Sequence, residues 1–260
     1  MSASNQIAVD VAPDKVELGK RAATFCAGVI NSVVAEKGSA RVIVATGASQ
    51  FEFLEALVKE AVPWDKVTAF HLDEYVGMTE THKASFRGYL KERLFDQISP
   101  SCAAVHYLGG AAGAVEGAAA EQACADYEKL LMEGDIDLAC IGIGENGHIA
   151  FNDPPVCNFE DPVMVKVVPL DDKCRQQQLG EGWFPTFDDV PTHALSQTVP
   201  SMMRCKCISV QVPDERKAEA VRGTLGDEIS HACPGTILRT HPNCKLWLDP
   251  PSASLLPKTE

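Results

Sequence analysis

Three short stretches of the chain carry side chains able to do chemistry. Gly142–Asp153 reads GIGENGHIAFND and presents one imidazole, His148, with Asn146 two residues before it and Asp153 five residues after. An imidazole held between groups able to orient its ring suits acid–base work near neutral pH, although a histidine in a loop is more often structural or solvated. Asp73 and Glu74 stand side by side in FHLDEYVG. A carboxylate that is partly desolvated serves as a general base, whereas such a pair by default is solvated surface. Thr46–Ser49 reads TGAS, with small residues at Gly47 and Ala48 and a hydroxyl on either side. A turn of this kind opening into a helix cradles an anion, and the plainer reading, that Ser49 caps the helix, weighs about equally.

The loop also matches G-x-G-x-x-G over Gly142–Gly147. A dinucleotide fingerprint needs its third glycine to open a helix, with an acid about 20 positions on at the end of the next strand. Pro154 and Pro155 follow too soon for that helix, and Glu160 and Asp161 come early and precede Pro162. The NAD reading therefore fails on context. What is left is a glycine-permitted turn that presents His148.

Each polar stretch follows a run that reads as a buried strand: Arg41–Thr46 (RVIVAT), Val67–Leu72 (VTAFHL) and Ile136–Ile143 (IDLACIGI). Apolar residues at helical spacing predict helices over Asp14–Glu36, ahead of the first strand, and over Phe51–Val62. Further helices are expected over Phe86–Ile98, Ala111–Met132 and near Glu215–Thr224. Further strands are expected at Val163–Val168, around Ala194–Val199, at Cys205–Val212 and at Cys244–Leu248. This alternation predicts the α/β class, a Rossmann-like open sheet, mostly parallel, with helices on both faces. No repeat or break in composition divides residues 1–260, so a single domain is expected. In such sheets ligands bind outside the carboxyl ends of the strands, where the three stretches lie.

Composition narrows the ligand. The net charge of -13 and pI near 5.0 give no general attraction to nucleic acid or to an anionic membrane. An anionic ligand must therefore be held by a local set of donors, as a small phosphorylated metabolite would be. No apolar run approaches the ~18 residues that span a bilayer. The ten cysteines, from Cys26 to Cys244, contain no CxxC pair and read as reduced thiols of a cytoplasmic protein. Cys205 and Cys207 are expected on one face of a strand, as core residues and not as part of a metal site.

Together these stretches resemble the glucosamine-6-phosphate deaminase family, within the fold group that also holds the 6-phosphogluconolactonases. The resemblance extends from the first strand to Thr240–Asp249, and is most specific at Phe70–Gly77 and Gly144–Pro154. It implies conversion of glucosamine 6-phosphate and water to fructose 6-phosphate and ammonia, without a metal or organic cofactor. Carried over by position, Asp73 moves the proton from C2 to C1 and His148 acts on the ring oxygen. Thr46, Gly47, Ala48 and Ser49 form the phosphate cradle, Lys217 in ERKAEAV adds a cation to it, and Glu74 and Gly144 join the substrate site. The family pattern usually has Asp where this chain has Asn146 and Glu where it has Asp153. In a Ser-His-Asp triad the Asp-to-Asn change costs ~10⁴ in rate. In Asp171–Gly182, Arg175 is the nearest candidate for the family's phosphate arginine, while Gln178 falls nearer its place. The implied partner is a sugar phosphate, and a homo-oligomer is allowed. A sugar-phosphate sensor without catalysis, a lactonase-like hydrolase, a galactosamine 6-phosphate substrate and a pure isomerisation stay open.

Overall fold

The computed structural model describes residues 7–109 and 114–257. A short strand, β1 (Ala8–Val11), comes first, and α1 (Lys15–Lys37) follows, capped by the Asp14 carboxylate accepting from the amide of Glu17 at 2.8 Å. Next come β2 (Ala40–Val44), α2 (Phe51–Leu57) and β3 (Val67–His71). Leu72 alone separates β3 from β4 (Asp73–Tyr75). The chain continues with α3 (Phe86–Leu90), β5 (Ala104–His106), α4 (Gly117–Met132) and β6 (Leu138–Ile141). After the long loop of His148 come β7 (Val165–Pro169), α5 (Asp172–Gly180), β8 (His193–Gln197) and α6 (Val199–Met203). The last elements are β9 (Ile208–Val212), a 3₁₀ turn at Glu215–Lys217, α7 (Ala218–Gly226) and β10 (Cys244–Leu248).

Among the described residues the strands form two sheets. Seven run parallel in the order β1-β10-β9-β6-β2-β3-β5, and β4, β8 and β7 form a small antiparallel sheet in the order β4-β8-β7. The order reverses between β2 and β6: later strands add outward from β2 through β3 to β5, and outward from β6 through β9 to β10. A crevice opens at such a switch point, beyond the carboxyl ends of β2, β3 and β6.

Side chains alternate across the parallel sheet and feed two cores. Ile43, Phe70, Ile141 and Val210 pack with Tyr127 and Leu131 of α4 and Val221 of α7. Val42, Val44, Val67 and Leu138 pack on the other face with Leu18, Ala22 and Ile30 of α1 and Leu54 and Leu57 of α2. Burial on both sides is why the central strands carry so few charges.

Several expectations are corrected. A strand, not a helix, comes first: β1 is a half-exposed edge, and its AVDV pattern is short. The helix from Phe86 is regular only to Leu90 and continues as a π turn over Lys91–Phe95. The helix expected from Ala111 begins at Gly117, and residues 111–113 lie outside the described residues. Cys205 and Cys207 precede β9 and do not share a face, since they enter opposite cores. No helix among the described residues is long and apolar enough to cross a membrane.

Gly19 sets the distance between α1 and α2. A Cβ there would lie 2.5 Å from the backbone carbon of Glu52, an atom that cannot rotate away. Gly19→Ala should therefore destabilise the protein by about 1–3 kcal/mol through overpacking, read as a lower urea midpoint at unchanged slope. An unchanged midpoint would mean that the two helices separate freely.

Candidate active site

The crevice has a cavity volume of about 70 Å³ and is lined by Ala45–Ser49, Leu72, Asp73, Phe86, Gly142–Gly144, His148, Ala150, Phe151, Gln177, Gln178, Glu181 and Lys217. Of the twelve residues singled out in the sequence, Thr46, Gly47, Ala48, Ser49, Asp73, Gly144, His148 and Lys217 come together on its walls. Asn146 and Asp153 stand behind His148. Glu74 and Arg175 lie elsewhere.

His148 sits where the loop after β6 folds back on itself: the Gly144 amide donates to the His148 carbonyl at 2.8 Å. The imidazole lies flat over Gly144, where a Cβ would come within 2.2 Å of the ring, so only glycine fits. No helix follows this loop, in line with rejecting the dinucleotide reading. Nδ1 of the ring lies 2.8 Å from Oδ1 of the fully buried Asp153, at an angle outside that of a regular hydrogen bond. The shorter carboxylate therefore reaches the histidine. Burial opposes the charge on Asp153, but His148, the Asn146 amide and the Asp171 backbone N–H outweigh it and hold the carboxyl below its ordinary value.

Asn146 does not touch the imidazole. Its Oδ1 accepts from the backbone N–H of His148 at 3.0 Å, which fixes the amide so that Nδ2 donates to Asp153 at 2.9 Å and reaches Asp171 at 3.5 Å. Asp171 caps α5, accepting from the Cys174 amide at 2.6 Å. The ring-orienting carboxylate is thus Asp153, and Asn146 spaces two acids that would otherwise repel.

Asp73 and Glu74 occupy successive positions of β4 and diverge. Glu74 turns away from the crevice and accepts from the amides of Tyr75, Phe86 and Arg87 at 3.0, 3.2 and 2.9 Å and from the Ser85 hydroxyl at 2.9 Å. It anchors the first turn of α3, which corrects its assignment to the substrate site. Asp73 faces the crevice. Burial, reinforced by the neighbouring Glu74, raises its pKa to about 8, so it holds its proton well above the usual carboxylate range.

Lys217 reaches the opposite wall because the chain turns sharply after β9. Asp214 has φ of 90°, its amide donates to the Asp249 carboxylate at 3.2 Å, and its own carboxylate accepts from the Arg216 amide at 3.0 Å. Burial lowers the pKa of Lys217, against the pull of Glu181 and Glu145. Ser49 lies within a 3₁₀ turn, Ala48–Gln50, and α2 after it has no side-chain cap. Arg175 is corrected too: its guanidinium donates to the carbonyls of Phe187 and Val190 at 2.9 and 3.0 Å and stacks on Phe187, so it clamps a loop outside the crevice. Two amides stand on the wall instead. Gln178 accepts from the Tyr75 hydroxyl at 2.7 Å, and Gln177 joins the Glu145 amide to Glu181 at 3.0 and 2.9 Å. Glu181, Asp171 and Cys174 were missed because α5 is mostly polar and has no apolar period to mark its face.

Two outcomes follow from the carboxylates. Glu74→Ala leaves buried N–H groups unpartnered and should cost roughly 1–3 kcal/mol in urea unfolding. For Asp73, the unfolded chain releases a proton near pH 4 that the folded chain keeps to about 8, so folding stability falls as pH rises through that window. Relative to the native protein, Asp73→Asn should gain ~1.4 kcal/mol or more between pH 5 and pH 8. Parallel pH profiles would remove the buried-acid assignment.

A profile of the family described as "Glucosamine-6-phosphate isomerases/6-phosphogluconolactonase" matches residues 13–247. The chain is 35% identical over 227 residues to a glucosamine-6-phosphate deaminase of Bacillus cytotoxicus, covering 87% of this chain and 82% of that one. It is 34% identical to one of Bacillus cereus over the same shares. The fold matches a solved monomeric glucosamine-6-phosphate deaminase with a TM-score of 0.86 at 30% identity, covering 96% of this chain and all of the other. A 6-phosphogluconolactonase of Trypanosoma brucei has the same fold, with a TM-score of 0.79 at 16% identity over 97% and 99% of the two chains. The chain belongs to the glucosamine-6-phosphate isomerase/6-phosphogluconolactonase family.

Proposed function

We propose that the protein is a deaminating isomerase of amino-sugar phosphates, taking glucosamine 6-phosphate and water to fructose 6-phosphate and ammonia. The observation that carries this reading is that a buried acid, a carboxylate-backed imidazole and a buried ammonium face one crevice. The phosphate lies between Lys217 and the Thr46–Ser49 turn, with Gln178 beside it. His148, held by Asp153, passes a proton to and from the ring oxygen as the sugar opens. Asp73 takes the proton from C2 and returns it at C1. Its raised pKa matches a group that must both accept and release a proton near neutral pH. Water then adds to the imine carbon and ammonia leaves. The cytoplasm is the expected setting.

The contact between His148 and Asp153 favours catalysis over a sensor, because the imidazole has its carboxylate despite Asn146. The carboxylates on and near the crevice, Asp153 and Glu181, favour a substrate that carries an ammonium over a lactone whose product is a carboxylate.

Purified protein given glucosamine 6-phosphate should release ammonia and ketose phosphate, and 6-phosphogluconolactone should not be opened. Asp73→Asn should lower kcat by about 10²–10⁴. Lys217→Ala should raise KM by about ten- to a hundredfold, the worth of a charged contact of ~1.5–3 kcal/mol. In the free enzyme kcat/KM should rise with pH until about 8, where Asp73 is ionised. Turnover of the lactone alone, or full activity in Asp73→Asn, would refute the proposal.

A further inference from the structure

Folding of α5 against the His148 loop brings Cys174 beside two side chains of that loop, His148 and Asp153. The imidazole of His148, a carboxylate oxygen of Asp153 and the sulfur of Cys174 lie within 4.8 Å of one another. All three are buried, at 7%, 0% and 1% exposure. Nδ1 of His148 is aimed into this space without a hydrogen bond of regular geometry. Behind it, Asn146 and the Asp171 amide steady the two oxygens of Asp153 at 2.9 and 3.4 Å.

One nitrogen, one oxygen and one sulfur suit a borderline-soft ion and not Mg²⁺ or Ca²⁺, which take oxygen donors. Zn–N and Zn–O bonds of about 2.0–2.2 Å and a Zn–S bond of about 2.3 Å put tetrahedral ligands roughly 3.5 Å apart. The observed spacings, from 2.8 Å between His148 and Asp153 to the 4.8 Å limit, bracket that value. Two anionic donors would neutralise a divalent ion, and water from the crevice supplies a fourth ligand past His148.

We propose that His148, Asp153 and Cys174 form a binding site for a thiophilic divalent ion of the Zn²⁺ class, and that occupancy blocks the histidine. On binding, the Cys174 thiol releases its proton to solvent and the sulfur bonds the ion. The imidazole gives the ion its Nδ1 lone pair, and the proton it carried there toward Asp153 passes by way of solvent to Nε2. With Nε2 held as N–H, the ring loses the lone pair that accepts a proton from the substrate side. This second half rests on the proposed deaminase function; binding of the ion does not.

The full chain, stripped with a chelator and desalted, would be titrated with Co²⁺ as a spectroscopic probe. A thiolate-to-cobalt charge-transfer band should saturate at one ion per chain and disappear on adding Zn²⁺. The band should be lost in Cys174→Ser and in His148→Ala, which truncates a side chain on the crevice wall, and kept in Cys102→Ser and Cys233→Ser, the less buried thiols. Cys174→Ala replaces the serine variant if circular dichroism shows that the latter does not fold. In the kinetic arm, with each variant scaled to its own uninhibited rate, inhibition by Zn²⁺ should weaken at least tenfold in Cys174→Ser. The site is overturned by absence of the band, by a band that survives Cys174→Ser, or by one that depends on Cys102 or Cys233. Unchanged inhibition in Cys174→Ser overturns the coupling to His148. A chain that gives the cobalt band but no ammonia would retain the site and lose the deaminase reading.

Discussion

The chain passes from the parallel sheet to the antiparallel one through a single residue, Leu72, and β4 pairs at once with β8, Asp73 opposite Ser196 and Glu74 opposite Leu195. That junction fixes the direction of each carboxylate. A strand sends successive side chains to opposite faces, so two adjacent acids cannot share an environment. One is turned toward α3 and meets a ring of N–H and O–H donors; the other is turned toward the crevice. Desolvation raises the energy of ionising the second, and the charge on the first adds to it. A slip of one residue in the β4–β8 register would exchange the two and leave the crevice with a helix anchor in place of a proton carrier.

The rest of the crevice is arranged around the same scarcity of solvent. One buried ammonium, Lys217, stands among several acids, and the strained turn at Asp214 is held by Asp249 at the end of β10 so that the lysine points back over the sheet. Phe86 and Phe151 stack at 5.8 Å and form the apolar wall against which those charges act. Such an interior is preorganised: its dipoles are set before a ligand arrives, and little reorganisation remains for the reaction itself.

The central strands and their polar ends were legible because burial on both faces imposes a composition that few other structures require. Cys244–Leu248 was delimited as found, and Asp73, His148 and Lys217 were placed on one site through the motifs that surround them. Less legible were elements whose stability comes from elsewhere. β4 is three residues long, two of them acidic, and exists because β8 pairs with it. α5 carries buried Cys174, Gln177 and Gln178 where an apolar stripe would be sought. Arg175 illustrates the limit of position alone: it lies one turn from the crevice wall, yet its guanidinium is committed to carbonyls of the loop beyond.

Asn146 has a consequence for how this site can evolve. Its amide nitrogen lies 2.9 Å from one carboxylate and 3.5 Å from another. The carboxylate usual in the family at this position would set a third anion between Asp153 and Asp171, where the present residue supplies two protons. Exchange of Asn146 for Asp is therefore not an independent step. Loss of the charge at residue 171 would relieve the repulsion at some loss to the cap of α5, so the two positions are coupled although they lie twenty-five residues apart.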